Sequence, residues 1–193
     1  MAGRPRTFDR NTAIIVAMEQ FWRDGYEATT VAKLTEAMGI TPPSMYAAFG
    51  DKDQLFHAAA ACYVDTMNVS FEESLAQPTA LDAIRDMLSR SGEAHTDAGT
   101  PPGCFLAIEP RLAEERAIMR KRLARRIEQG VADGDVRADA DPEAIASYIM
   151  AVHAGMASRA RDGGSSAEVL AIAGMGLQAL EPMVRPAGSS IAS

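Results

Sequence analysis

The side chains able to do chemistry fall into three groups. Near the start, Arg4 and Arg6 flank Pro5 in a polar arm, and Lys52 stands at a helix-start signal. Such cations can meet phosphate oxygens. In the middle, Arg116 and Arg120 lie at i, i+4 on the helical arc shared by Leu112, Met119, Leu123 and Ile127. Two guanidiniums on an apolar face could receive an anionic effector, although such arginines more often pair with a carboxylate or snorkel to the surface. Third come His153, on a nearly all-apolar helix, and the thiols Cys62 and Cys104. His153 reads as a hydrogen-bonded core histidine ahead of a ligand contact, and the thiols as small buried hydrophobes. Two cysteines are too few for a disulfide scaffold. No C-x-x-C and no Cys/His cluster has metal spacing, and no nucleophile–base spacing supports covalent catalysis. Neither a metal, a cofactor nor enzyme chemistry is expected; a helical enzyme using Cys104 or His153 is the weakest alternative.

The elements that must position the early group run from Thr30 to Phe56. Val31, Leu34 and Met38 fall at i, i+3 and i+7, one apolar helical face. Thr30 precedes them as an N-cap. Gly39 follows, where a glycine takes the left-handed conformation without a Cβ penalty. Thr41 is a second N-cap, with Pro42 at the first helical position. A short helix to Phe49 ends at Gly50, and Asp51 with Gln54 resembles a capping box for the next. Helix, glycine turn and short second helix form the pattern of a helix-turn-helix. Two core helices of a bundle would give the same spacing.

The residues themselves distinguish these readings. The arm Arg4-Pro5-Arg6, the run Phe21 to Thr30, Gly39-Ile40-Thr41, Ser44 to Phe49 and Asp51 to Phe56 resemble the TetR family of transcriptional repressors. The resemblance implies an all-α fold of about nine helices: a three-helix helix-turn-helix domain over residues 1–56, a helical ligand-binding and dimerisation domain over 57–182, and a flexible tail over 183–193. It implies that the helix Pro42 to Phe49 enters the major groove, with Thr30, Tyr46 and Lys52 on phosphates. Tyr46 also admits a plain reading as a core aromatic. Helix N-termini present N–H groups to phosphate, and a lysine or tyrosine adds a positioning contact. Thr41, Pro42, Pro43, Ser44 and Ala47 complete the expected DNA face. None of the base-facing residues is Arg, Asn or Gln, so bidentate base readout is unavailable. Thymine-methyl contacts, one hydroxyl and DNA shape must discriminate instead.

Charge sets a further limit. The 193-residue chain has net charge −7, which argues against non-specific coating of nucleic acid. Within residues 1–56, six basic side chains meet seven acidic ones. DNA contact must therefore come from placement, and a ligand sensor with weak or lost DNA binding remains an alternative.

Beyond the head, a long helix from Lys52 to about Ser74 is a candidate lever. Thr79 with Asp82 starts a helix ending before Gly92, and Gly92 to Gly103 reads as a mobile loop. A charged helix from Arg111 to Gly130 precedes a second loop. Tyr63, Met67, Phe71, Met87, Phe105, Met119 and Met150 are expected to wall an effector pocket with Arg116, Arg120 and His153. Met-rich walls adapt to varied apolar shapes. The last two helices, Pro142 to Arg161 and Ala167 to Leu180, are apolar nearly all round, and Ser165 with Glu168 caps the second. Such helices must be covered on every side. A homodimer through this pair is expected, with Ala171, Ala173, Gly174 and Gly176 permitting close approach. The apolar run Ala13 to Met18 is too short for a membrane span or signal core, so a cytoplasmic location is expected. The partners expected are double-stranded operator DNA, a small-molecule effector and a second copy.

Overall fold

A computed structural model describes residues 8–185. Those residues form nine α-helices and one 3-10 turn: α1 Arg10–Ala28, α2 Val31–Met38, α3 Pro42–Phe49, α4 Lys52–Leu75, α5 Ala80–His95, α6 Phe105–Ile108, the turn Pro110–Leu112, α7 Ala113–Asp133, α8 Pro142–Arg161 and α9 Ser166–Val184. The chain divides into two compact units, Met1–Thr66 and Met67–Ser193. α4 is continuous through that boundary, which lies ten residues beyond the expected one at 56.

The first unit is built on local caps and one aromatic core. Asp9 caps α1, its Oδ1 accepting from the Thr12 amide at 2.6 Å. Gly25 (φ 76°, ψ 165°) breaks the helical path, and a last turn resumes to Ala28. Buried Thr29 donates its hydroxyl to the Gly25 carbonyl at 2.7 Å and fixes that break. Phe21, Leu34 and Met45 are wholly inaccessible and Phe49 nearly so. Edge-to-face contacts of Phe21 and Tyr26 with Phe56, at 5.2 and 5.0 Å, tie α4 to the same core. Such pairs add to area burial.

The second unit packs α5, α7, α8 and α9 together, with α6 against α8. Two glycines read from sequence as terminators lie inside helices. Gly92 is buried within α5, where an added Cβ would sit 2.6 Å from Leu170 Cδ2. Gly130 is buried within α7, where a Cβ would meet Asp135 Oδ1 at 2.5 Å and Val136 Cγ2 at 2.8 Å. Both are close-approach positions, so α5 continues to His95 and α7 to Asp133. Gly134, at φ 81°, is the true cap of α7. Arg126 donates to the carbonyls of Leu75 and Gln77, both at 3.0 Å, and so closes the orphan end of α4.

α9 also runs past its expected end. Pro182 lies inside it, and the helix holds because Val184 is buried and its carbonyl accepts from the Arg137 amide at 2.9 Å. The tail therefore cannot begin at 183; residues 186–193 fall outside those described. Among the described residues α9 is the one helix long and apolar enough to cross a membrane. Here its inner face packs on α5 and α8. Ala173 and Gly176 belong to that inner face: a Cβ at Gly176 would lie 2.9 Å from Val152 Cγ1, and the Tyr148 hydroxyl donates to the Gly176 carbonyl at 3.2 Å. Their smallness serves contact within the subunit. Gly174 has open space around it, and Met175 and Met183 are exposed.

Candidate nucleic-acid interface and ligand cavity

The turn between α2 and α3 follows from four local interactions. Thr30 Oγ1 accepts from the Lys33 amide at 3.2 Å. Gly39 adopts φ 66° and ψ 29°, the left-handed cap. Thr41 Oγ1 accepts from the Ser44 amide at 3.4 Å and is hydrogen-bonded to Ser44 Oγ at 2.9 Å. Pro42 occupies the first turn of α3, where no donor is lost. With Leu34, Met45 and Phe49 turned inward, α3 leaves Pro42, Pro43, Tyr46 and Ala47 exposed beside Thr41 and half-buried Ser44. Tyr46 is 49% exposed, so the core-aromatic reading of it is overturned.

The cations divide by what already holds them. Lys33 Nζ donates to Asp24 at 2.7 Å and to the Ala28 carbonyl at 3.2 Å, and this bond holds the Asp24 carboxyl below the usual range. Lys52 instead has its Nζ 4.0 Å from the centroid of the Tyr26 ring. The ring steadies the ammonium without neutralising it. Arg4 and Arg6 lie outside the described residues.

The second unit contains a cavity of ≈ 270 Å³ between α6, α7 and α8. Its walls are Leu106, Ala107, Ala113, Arg116, Ala117, Arg120, Met150, His153 and Ala154. Four of the expected wall residues are among these: Arg116, Arg120, Met150 and His153. The others lie elsewhere. Tyr63 packs edge-to-face on Trp22 at 5.1 Å in the first unit. Phe71 is buried beneath the Arg122 guanidinium, 4.8 Å away. Met87, Phe105 and Met119 are core, and half-buried Met67 does not line the cavity. The alanines that do line it carry no chemical signature in sequence.

Both arginines already have partners. Arg116 Nη1 donates to the carbonyls of Leu106 at 2.9 Å and Glu109 at 2.7 Å, closing the end of α6. Arg120 pairs with Glu143 at the start of α8. The expected carboxylate pairing thus describes Arg120, whereas Arg116 is tied to backbone carbonyls instead, and the cavity they border is largely apolar.

His153 differs from its expected role. It is buried, yet its Nδ1 has no hydrogen-bond partner, and the Nδ1 of buried His95 has none either. The two rings meet edge-to-face with centroids 4.8 Å apart. Burial lowers the His95 pKa to about 3, helped by the neighbouring His153, and burial alone lowers that of His153 to about 4. Buried Cys104 completes a group whose nitrogen and sulfur ligand atoms lie within 4.8 Å of one another. Sequence spacing gave no sign of it, because α5, the loop before α6, and α8 each supply one member. Cys62, expected to be buried, is half-exposed.

Comparison with known proteins agrees with this arrangement in both units. Residues 14–59 match the family described as bacterial regulatory proteins, tetR family, and residues 80–170 match a tetracyclin repressor-like C-terminal domain. The chain is 31% identical to the HTH-type transcriptional repressor ComR of Escherichia coli, covering 95% of this chain and 94% of that protein. A cysteine-substituted form of the TetR family regulator CifR, solved with 26-base-pair operator DNA, superposes with a TM-score of 0.87 at 35% identity, over 92% of this chain and 99% of CifR. A TetR-type regulator from Rhodococcus sp. RHA1 is 36% identical over 89% of this chain and 99% of its own, with a TM-score of 0.59. The fold and its helix-turn-helix define a bacterial transcriptional regulator. The chain belongs to the TetR family, whose relatives here are regulators and not enzymes.

Proposed function

We propose that the chain is a dimeric cytoplasmic repressor that binds a palindromic operator through α3 and is released by a small molecule. The observation that carries this reading is the α2–Gly39–α3 turn, with its apolar residues inside and Thr41, Pro42, Pro43, Tyr46 and Ala47 outside. The operator-bound neighbour with a TM-score of 0.87 supports it. Thr30, Tyr46 and Lys52 position the head on phosphates, while Pro42, Pro43, Ser44 and Ala47 face base edges and thymine methyls. Two heads must sit about 34–36 Å apart to engage half-sites one turn apart.

The dimer forms through the outer faces of α8 and α9, where Tyr148, Met175 and Met183 are exposed. The effector enters the α6–α7–α8 cavity. Its volume is near the lower end of the ~300–1,000 Å³ usual for ligand sites, and its walls of Leu106, Met150 and alanines suit a small, mainly apolar molecule. Binding there shifts the population away from the DNA-competent form. A gel shift with the DNA upstream of the chain's own gene tests the reading. Retardation supports a regulator, and indifference to every such fragment favours a sensor without DNA binding.

A further inference from the structure

We infer that His95, Cys104 and His153 together hold one soft, thiophilic metal ion, a monovalent ion such as Cu(I) in preference to Zn(II). The three ligand atoms come from α5, the residue before α6, and α8, and all lie within 4.8 Å of one another. The backbone is shaped to bring them together. The Gly103 amide donates to the His95 carbonyl at 2.9 Å, which draws the loop back and sets Cys104 beside the end of α5. Gly103 has φ 84°, and a Cβ there would lie 2.7 Å from the Ala157 carbonyl oxygen of α8. Only glycine lets the loop press so closely on the helix that carries His153.

Two features separate this group from an ordinary core. His95 and His153 are 3% and 9% exposed, and each has a buried Nδ1 without a partner. Buried polar atoms are nearly always hydrogen-bonded, so two adjacent exceptions call for a ligand. A lone pair that no protein donor meets is what a metal ion takes. His153 also lines the α6–α7–α8 cavity, so one of the three ligands borders that space.

The donor set selects the ion. Two imidazoles and a thiol favour Cu(I) and Zn(II) over hard cations. Cys104 gives up its proton to solvent on binding. A thiolate with a monovalent ion is then neutral overall, whereas a divalent ion leaves a net positive charge in a buried apolar site. Structural zinc also prefers four protein ligands, and this group supplies three.

Anaerobic titration of the reduced full-length protein with Cu(I), against a chromophoric Cu(I) chelator, tests the assignment; Zn(II) is run in parallel. The expected result is one Cu(I) per chain with a thiolate-to-metal ultraviolet band. Affinity should fall by about tenfold or more in each of Cys104→Ser, His95→Gln and His153→Gln, and be unchanged in Cys62→Ser. Circular dichroism melts establish that each variant is folded, and the three independent variants guard against one that is not. Absence of stoichiometric uptake, uptake indifferent to all three ligand variants, or tighter binding of Zn(II) would overturn it. Regulation by the ion presupposes the DNA-binding function proposed above, whereas metal binding does not. A DNA-binding assay with and without Cu(I) separates the two: failure to bind any DNA refutes the repressor reading and leaves the titration result standing.

Discussion

Lys52 Nζ stands 4.0 Å from the centre of the Tyr26 ring, and the Tyr26 hydroxyl in turn donates to Asp53 Oδ1 at 3.3 Å. The ammonium is thereby placed at the first turn of α4 by a ring rather than by a carboxylate. Its charge stays available to an incoming phosphate. Lys33, by contrast, is engaged by Asp24 and a carbonyl.

Lys52→Ala should weaken binding to all DNA sequences alike and reduce the slope of log K against log salt by about 0.9. Lys33→Ala should change that slope far less. Fluorescence anisotropy across a salt series measures both. A loss confined to one operator sequence would place Lys52 on bases instead.

Base discrimination should be modest. Apart from Tyr46, assigned to phosphate, α3 offers two exposed prolines, an exposed alanine and the half-buried Ser44 hydroxyl, already bonded to Thr41. Without a bidentate reader, preference for operator over shuffled duplex should stay under ~10⁵-fold, inside the range of specific binders. Anisotropy with shuffled duplexes decides it, and a larger ratio would mean a reader other than α3.

The two glycines of α9 should respond in opposite directions. Gly176→Ala forces a Cβ against the stiff Val152 side chain and should cost about 1–3 kcal/mol of overpacking, partly offset by helix propensity. Gly174→Ala meets open space within the subunit and should gain up to ~1 kcal/mol in a chemical melt. Equal effects of the two would show that α9 packs differently. Met175→Glu, at an exposed position, should leave the subunit folded and separate the dimer on a sizing column.

The start of α9 should be acid-sensitive. Glu168 accepts from Arg159 at 2.7 Å and from the Ser165 amide at 2.8 Å, and these bonds lower its pKa to about 2. A carboxyl with a depressed folded pKa gives stability that is present above about pH 4.5 and lost as pH falls from there toward 2. Glu168→Gln should therefore be less stable than the native chain at pH 7, with the gap closing by pH 2–3. Urea midpoints across that range measure it. A gap independent of pH would remove the ionic contribution. Ser165→Ala should cost ~1 kcal/mol, the usual value of an N-cap.

Features closed by local bonds were legible in the sequence. Thr30, Gly39, Thr41, Pro42 and the Ser165–Glu168 box act on amides within a few residues, and their types announce the role. Gly92 and Gly130 were misread because a terminator and a close-approach glycine look alike until the neighbour is known. Here the neighbours are Leu170 and the Asp135–Val136 pair. The cavity was half-legible: its arginines, methionine and histidine stand out, while its alanines do not. The His95–Cys104–His153 group was invisible, since a loop return brings together residues from three elements.

Two copies of this chain on one duplex are the central claim, and the mass of the protein–DNA complex in solution tests it most directly. Sedimentation of the purified chain with a duplex taken from its own upstream region should give a species of two chains per duplex. That species should disappear for Met175→Glu and dissociate at lower chain concentration, with an unchanged salt slope, for Tyr46→Ala. A complex holding one chain per site, or no complex with any upstream duplex, would contradict the account.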